Sequence, residues 1–296
     1  MSLREHLAAG KFAVTCEVGP LKGTDTGEIK EIAHLLKGKV TAANVTDQQS
    51  SVLRLGSLVV CHLLKDEGLE PIFQMTCRDR NRLALQSDLL GAWVLGLENV
   101  LALTGDLPVL GDHPGAKPVY DLDSVQLLGA IKRLNEGFDL SGNELKGKTD
   151  FFAGAVVNPG ADTEAAFEMQ LIKMEKKIEA GAKVFQTQGI YDLDAFARFI
   201  KRVEQYKVPV MAGIIPLKSA GMAKFMNKNV AGVFVPDPMI EKMTAAKDKT
   251  QMGIDIAIEL IKGLKDLCQG VHIMAIGWEK KVPQIVEAAG LSGVAT

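Results

Sequence analysis

Aromatic side chains are scarce in this sequence, at 5% of residues with Trp 2 and Tyr 3. An all-β sandwich, whose strands draw on aromatic and threonine side chains, is therefore a poor match. Cysteine numbers 4, at Cys16, Cys61, Cys77 and Cys268, with no C-x-x-C pair. That spacing argues against a metal ribbon or iron–sulfur cluster held by this chain alone, and it suits a reducing compartment. Histidine numbers 5 and is scattered, as His6, His34, His62, His113 and His272. Neither a His-rich metal site nor a Ser-His-Asp triad is expected from such a set. Neither sign of charge dominates: Lys+Arg 34 against Asp+Glu 36 leaves a net charge of -2, so no basic field awaits nucleic acid. The longest apolar runs, 91–97 and 153–157, fall far short of the ~20 residues of a membrane span. The opening Met1-Ser2-Leu3-Arg4-Glu5-His6 has no apolar signal-peptide core, and a cytoplasmic protein is expected.

What is abundant is ordinary core material, 47% hydrophobic against 24% charged, punctuated by 29 glycines. Short apolar runs bounded by turn residues recur at 12–18, 42–46, 71–76, 99–104, 151–157, 184–188, 209–215 and 271–276. Each reads as a buried strand. Helical patterns fall between them: one opened by a capping box at Asp25–Glu28, then 52–67, 80–95, 124–138, 163–180, 192–206 and 249–268, with a last short helix at 282–289. Two further short helices, 219–227 and 238–246, sit in an irregular insert after the seventh strand.

Strict alternation of strand and helix demands parallel strands joined by right-handed crossovers. Eight units with a mean period of about 37 residues, without linker or low-complexity stretch, match the size of one (β/α)8 TIM barrel spanning 1–296. The alternative, an open doubly wound sheet, normally carries G-x-G-x-x-G after its first strand. Here that turn reads Val18-Gly19-Pro20-Leu21-Lys22-Gly23.

A barrel gathers its reactive groups at the carboxyl ends of its strands. Those positions here hold Glu17, Thr46, Asp47, Gln74, Thr76, Asp106, Asn158, Gln186, Gln188 and Trp278. Glu17 lies within an apolar stretch, Val14-Thr15-Cys16-Glu17-Val18. It is either an interior carboxylate tied into an ion pair or a general acid whose pKa an apolar wall raises. Asp106 follows Leu103-Thr104-Gly105 and reads as a turn residue or an acid at the mouth. Alternation sends Gln186 and Gln188 to one face, as amides satisfied by backbone or as partners for the edge of a heterocycle. Lys173, Lys176 and Lys177 form a solvated helix face or approach a phosphate. The loop 107–123 is long enough to suggest function.

Read together and in order, Cys16-Glu17-Val18-Gly19-Pro20, Val45-Thr46, Met75-Thr76-Cys77, Ala102 to Pro108, Ala180-Gly181-Ala182, Thr187-Gln188 and Gly213-Ile214-Ile215-Pro216 resemble the methylenetetrahydrofolate reductase family. The resemblance runs from the first strand to the last helix. It implies a flavin-bearing barrel that reduces 5,10-methylenetetrahydrofolate to 5-methyltetrahydrofolate, with flavin and folate at the carboxyl ends of the strands. Glu17 then matches the general acid that opens the folate ring for hydride from reduced flavin N5. Asp106 matches the acid beside flavin and folate, and Gln188 the amide that meets pterin or nicotinamide. Thr46, Gly105, Asp106, Tyr120 and Lys177 match flavin-contacting positions.

The chain departs from the family pattern at several places. Thr104 stands where an arginine is common, Gln74 where a histidine is, and Asn158 opens a loop that often reads His-Pro-Glu. Gln170, Lys173 and Lys176 replace contacts to the flavin tail, so FMN becomes an alternative to FAD. Ala220 falls where the family has an aromatic platform, which leaves NAD(P)H or an iron–sulfur partner subunit as electron source, and an oligomer or hetero-complex as the assembly. Rival readings are a folate- or corrinoid-dependent methyltransferase barrel and a non-catalytic barrel subunit of a redox complex.

Overall fold

Eight short runs rich in valine, alanine, isoleucine and leucine pair in parallel and in sequence order. The last closes on the first, giving a barrel β1-β2-β3-β4-β5-β6-β7-β8. The structure is a computed structural model that describes residues 1–161, 163–291 and 293. The strands are β1 (Ala13–Val18), β2 (Ala42–Val45), β3 (Pro71–Thr76), β4 (Asn99–Leu103), β5 (Phe152–Val157), β6 (Val184–Gly189), β7 (Val210–Ile214) and β8 (Gly270–Ile273). The helices are α1 (Leu3–Ala8), α2 (Gly27–Leu36), α3 (Ser57–Asp66), α4 (Arg82–Val94), α5 (Ser124–Glu136) and α6 (Glu164–Glu179). They continue with α7 (Leu193–Val203), α8 (Ala220–Asn229), α9 (Asp237–Ala245), α10 (Lys249–Leu264) and α11 (Val282–Ala288). No helix among the described residues is long and apolar enough to cross a membrane.

The inside of the barrel is layered. At its base Ala13, Ala42, Ile72, Leu101, Val184 and Met211 form one apolar cluster with Leu3 and Leu7 of α1. This helix, which periodicity did not reveal, is the floor. A true capping box starts it: Ser2 Oγ accepts from the Glu5 amide at 3.2 Å and Glu5 accepts from the Ser2 amide at 2.8 Å. Each buried leucine stabilises the seat by about 1.5–3 kcal/mol. Two residues further along the strands the interior turns polar. Asn44 and Gln186 exchange amide hydrogen bonds across the barrel at 2.9 and 3.1 Å. Thr15 Oγ1 lies 2.9 Å from His272 Nδ1. Burial drives the pKa of His272 down to about 3, so its ring is neutral.

Three local expectations are corrected. The capping box at Asp25 does not form: Thr26 makes no side-chain cap, and Asp25 instead accepts from the Gly27 amide at 3.1 Å. The helix expected from residue 52 begins at Ser57, because the Gln48 side chain pins the backbone of Arg54 in a loop at 2.7 and 2.9 Å. The eighth strand stops at Ile273 rather than 276, since Ile276 adopts a left-handed φ of 48°.

Candidate active site

A cavity of about 630 Å³ opens at the carboxyl end of the barrel. Of the expected residues, Glu17, Gln74, Thr104, Asn158, Lys173, Lys176, Lys177 and Gln188 share its wall. Thr46, buried just past β2, and Gly105, Asp106 and Tyr120 beyond β4 are not part of that wall.

Glu17 reaches the mouth because residues 13, 15 and 17 share the inner face of β1. The side chain is half-buried, and only Gln49 Nε2, 3.4 Å from Oε2, approaches it as a hydrogen-bond donor among the described residues. Burial raises its pKa from 4.5 to about 7; the Gln49 contact opposes the shift and the charge of Glu279 adds to it. Among the described residues Glu17 forms no ion pair.

The opposite wall is α6. Gln170, Lys173 and Lys177 recur at three and four residues along the helix, so one face carries them to the cavity together with Lys176. Lys173 and Lys176 stay exposed to solvent at its edge. Lys177 is half-buried and donates to the Val156 carbonyl at 2.7 Å. Burial and the neighbouring Lys173 lower its pKa to about 8, against a pull upward from Asp123. Between the walls sit neutral amides. Gln74 is buried, yet no hydrogen bond among the described residues engages its side chain.

Gln186 and Gln188 both face the cavity, as alternation expects, and a register shift between Gln186 and Gly189 against β7 brings Thr187 to the wall beside them. Such bulges re-aim side chains next to functional sites. Here Gln186, Thr187 and Gln188 all line the cavity. The bulge needs Gly213, because a Cβ there would lie 2.4 Å from the Thr187 carbonyl oxygen. Thr187 Oγ1 accepts from the Gly213 amide at 2.9 Å. Asn158 is partly committed elsewhere, donating to the Ala231 carbonyl at 3.1 Å and accepting from Gly160 at 3.1 Å.

Asp106 is exposed on the rim, and its backbone is held more firmly than its side chain. Its carbonyl accepts from Tyr120 Oη at 2.9 Å, Ser51 Oγ at 3.1 Å and Arg78 Nη1 at 3.3 Å. Tyr120 also donates to the Gly105 carbonyl at 3.2 Å. Four non-glycine residues around this rim, Gln48, Ser50, Ser51 and Tyr120, have positive φ. Each costs of order 1–3 kcal/mol that the surroundings must offset.

Sequence reasoning missed Arg78, Gln49, Glu279 and His272. Only His272 left a signal, as it falls on the inner face of β8 by simple alternation. Asp47 lies at the carboxyl end of β2 but serves as a strap. It accepts from Arg80 at 2.7 and 3.1 Å, the Thr76 amide at 2.9 Å and Thr76 Oγ1 at 3.1 Å.

The profile of the methylenetetrahydrofolate reductase family matches residues 2–290. The 5,10-methylenetetrahydrofolate reductase of Pectobacterium carotovorum subsp. carotovorum is 27% identical over 282 residues, covering 90% of this chain and 88% of the relative. The Escherichia coli (strain K12) protein of that name is 29% identical over 217 residues, covering 69% of this chain and 66% of its own length. For methylenetetrahydrofolate reductase 2 of Schizosaccharomyces pombe, 25% identical over 242 residues, the match takes in only 35% of the relative. The chain therefore spans about a third of that relative. Among solved structures, an uncharacterized protein from Clostridium thermocellum that binds two copies of 5-methyl-5,6,7,8-tetrahydrofolic acid superposes with a TM-score of 0.64 at 16% identity. That match covers 98% of this chain and 99% of the other. A 2,3-dimethylmalate lyase follows at a TM-score of 0.53 and 12% identity, a likeness of fold alone.

Proposed function

This chain belongs to the methylenetetrahydrofolate reductase family, and from that premise we propose that it reduces 5,10-methylenetetrahydrofolate to 5-methyltetrahydrofolate with a bound flavin. The observation that carries the reading is Glu17: a half-buried carboxyl with a pKa of about 7, facing a cavity otherwise walled by amides and lysines. Such a group holds a proton near neutrality and can still release it.

The residues present fit a flavin. A cavity of about 630 Å³ is of the size small-molecule sites usually have, ~300–1,000 Å³. Gln74 offers an unpartnered amide to a heterocycle edge, and Lys173, Lys176 and Lys177 offer charge to a phosphate-bearing tail, that of FAD or FMN. When bound, the flavin supplies the hydride.

The chain's own part is to bind, orient and move one proton. Glu17 gives its proton to the N10 side of the folate and opens the five-membered ring to a reactive iminium. Asp106 places negative charge on the same rim, where a developing cation is favoured. Gln188 meets the pterin. Electrons enter from NAD(P)H or from an iron–sulfur partner subunit. The test is a visible spectrum of the purified protein followed by anaerobic mixing of the reduced form with methylenetetrahydrofolate. Flavin bands that bleach on reduction and return with folate are expected. A colourless protein that takes up neither FAD nor FMN refutes the proposal, and it is also what the methyltransferase reading requires.

A further inference from the structure

The rim of the barrel over β2, β3 and β4 is organised around one side chain with no part in the proposal above. Arg78 follows β3, and its side chain is only 3% exposed. Its guanidinium reaches two separate segments, the turn at residues 48–51 and the one at Asp106. Nη2 donates to the Gln48 carbonyl at 3.2 Å, and Nη1 to Ser51 Oγ at 3.0 Å and to the Asp106 carbonyl at 3.3 Å. The adjacent Asp79 holds the fork in place, accepting at 2.7 and 2.9 Å. Ser51 extends the link, donating to the carbonyls of Asp106 and Leu107, both at 3.1 Å. The turn so gripped is a conformation that L-residues rarely hold unaided, with φ of 49° at Gln48, 55° at Ser50 and 58° at Ser51. It is also packed from above: a Cβ on Gly111 would fall 1.8 Å from the Ser51 carbonyl oxygen. Inside the turn sits Gln49, the hydrogen-bond donor to Glu17.

We infer that Arg78 is a positioning residue for the reaction: it ties the turn that carries the partner of Glu17 to the turn that carries Asp106, and so holds a carboxylate of β1 and one of the loop after β4 in one arrangement. The inference rests on the roles proposed for those carboxylates. A planar fork with several donors is needed, because Nε and Nη2 engage the Asp79 carboxylate while Nη1 and Nη2 also reach three acceptors on the rim; a lysine ammonium on a flexible stem cannot hold the same set. The titratable groups around Glu17 are Glu279 from the loop after β8, Cys16 beside it in β1, neutral His272 on the adjoining strand, and Asp123 with the three α6 lysines across the cavity. None of these touches Arg78 among the described residues.

Two variants test the idea, Arg78→Lys and Ser51→Gly. The second removes a hydroxyl of the strap while easing the positive φ, so it keeps the question open should the first not fold. Both are expected to retain flavin and to accept electrons from a chemical reductant at the parental rate. Folate-dependent re-oxidation should slow by about 10²-fold in Arg78→Lys and by about tenfold in Ser51→Gly, as misplacement of reacting groups typically does. Its pH inflection should move upward in both, since Glu17 loses the hydrogen bond that favours its charged form. A merely structural role would lower the melting temperature and leave that inflection in place. Re-oxidation at the parental rate with the parental inflection overturns the inference. Absence of folate-dependent re-oxidation in the parent protein refutes the proposed function itself, and the inference with it.

Discussion

Replacing Glu17 by glutamine separates proton transfer from every other event at the site. The variant keeps the size of the side chain and its capacity to hydrogen bond to Gln49, but it has no proton to give. General acid catalysis is typically worth ~10²–10⁴-fold, or about 3–5 kcal/mol of barrier, and folate-dependent re-oxidation should fall by at least that much. Reduction of the flavin needs no proton from Glu17 and should be unchanged. Stability supplies a second, independent readout. The folded-state pKa lies above the ordinary 4.5, at about 7, so between these values the folded chain binds more protons than the unfolded one. Stability is then full below pH 4.5 and declines as pH rises to about 7. A shift of that size corresponds to about 3 kcal/mol, which water in the open mouth reduces to about 1–2 kcal/mol. Glu17→Gln should therefore melt a few degrees higher than the parent at pH 8.5 and at the same temperature at pH 4, at ~2–4 °C per kcal/mol for a chain of this size. Stopped-flow absorbance of the two half-reactions and melting curves at the two pH values decide the matter. A variant that re-oxidises at the parental rate, or that melts lower at pH 8.5, would refute the assignment of a buried proton to Glu17.

Asp106→Asn should keep fold and flavin, since the segment is held through its carbonyl, but slow the folate half-reaction by ~10²–10³-fold; single-turnover kinetics would show it, and an unchanged rate would leave Asp106 as a turn residue. Flavin affinity should weaken as pH rises through about 8, where Lys177 loses its charge; fluorescence titration should find Lys177→Met about 10–100-fold weaker at pH 7, the worth of one charge-assisted hydrogen bond, and insensitive to that pH step. NADH alone should reduce the flavin poorly and a low-potential dye well, because Ala220 offers no aromatic platform and Phe225 lies exposed on α8, outside the cavity wall; rapid reduction by NADH without a partner would contradict this.

The barrel was legible because each buried strand is a short apolar run between turn residues, and eight such runs leave few other topologies. α1 was not, as six residues are too few for a helical period and its apolar face is only Leu3 and Leu7. At the site, Glu17 announced itself as a carboxylate in an apolar strand, and the lysines of α6 as a spacing on one face. The bulge that brings Thr187 to the wall between Gln186 and Gln188 had no local mark, since it depends on how closely Gly213 lets β7 approach. Arg78 was invisible for a related reason. Its partners are the carbonyls of Gln48 and Asp106 and the hydroxyl of Ser51, about 30 residues away in either direction along the chain.

The floor helix sets an order of assembly. Leu3 and Leu7 contact an apolar cluster whose members come from β1, β2, β3, β4, β6 and β7, and the barrel closes only when Ala13 pairs with Gly270. A segment that precedes every strand of the barrel therefore has its binding surface completed almost last, after a loop closure of more than 200 residues whose entropy nothing local can offset. Until that moment Leu3 and Leu7 remain uncovered, and a nascent chain arrested before β7 would present them to chaperones or to neighbouring chains.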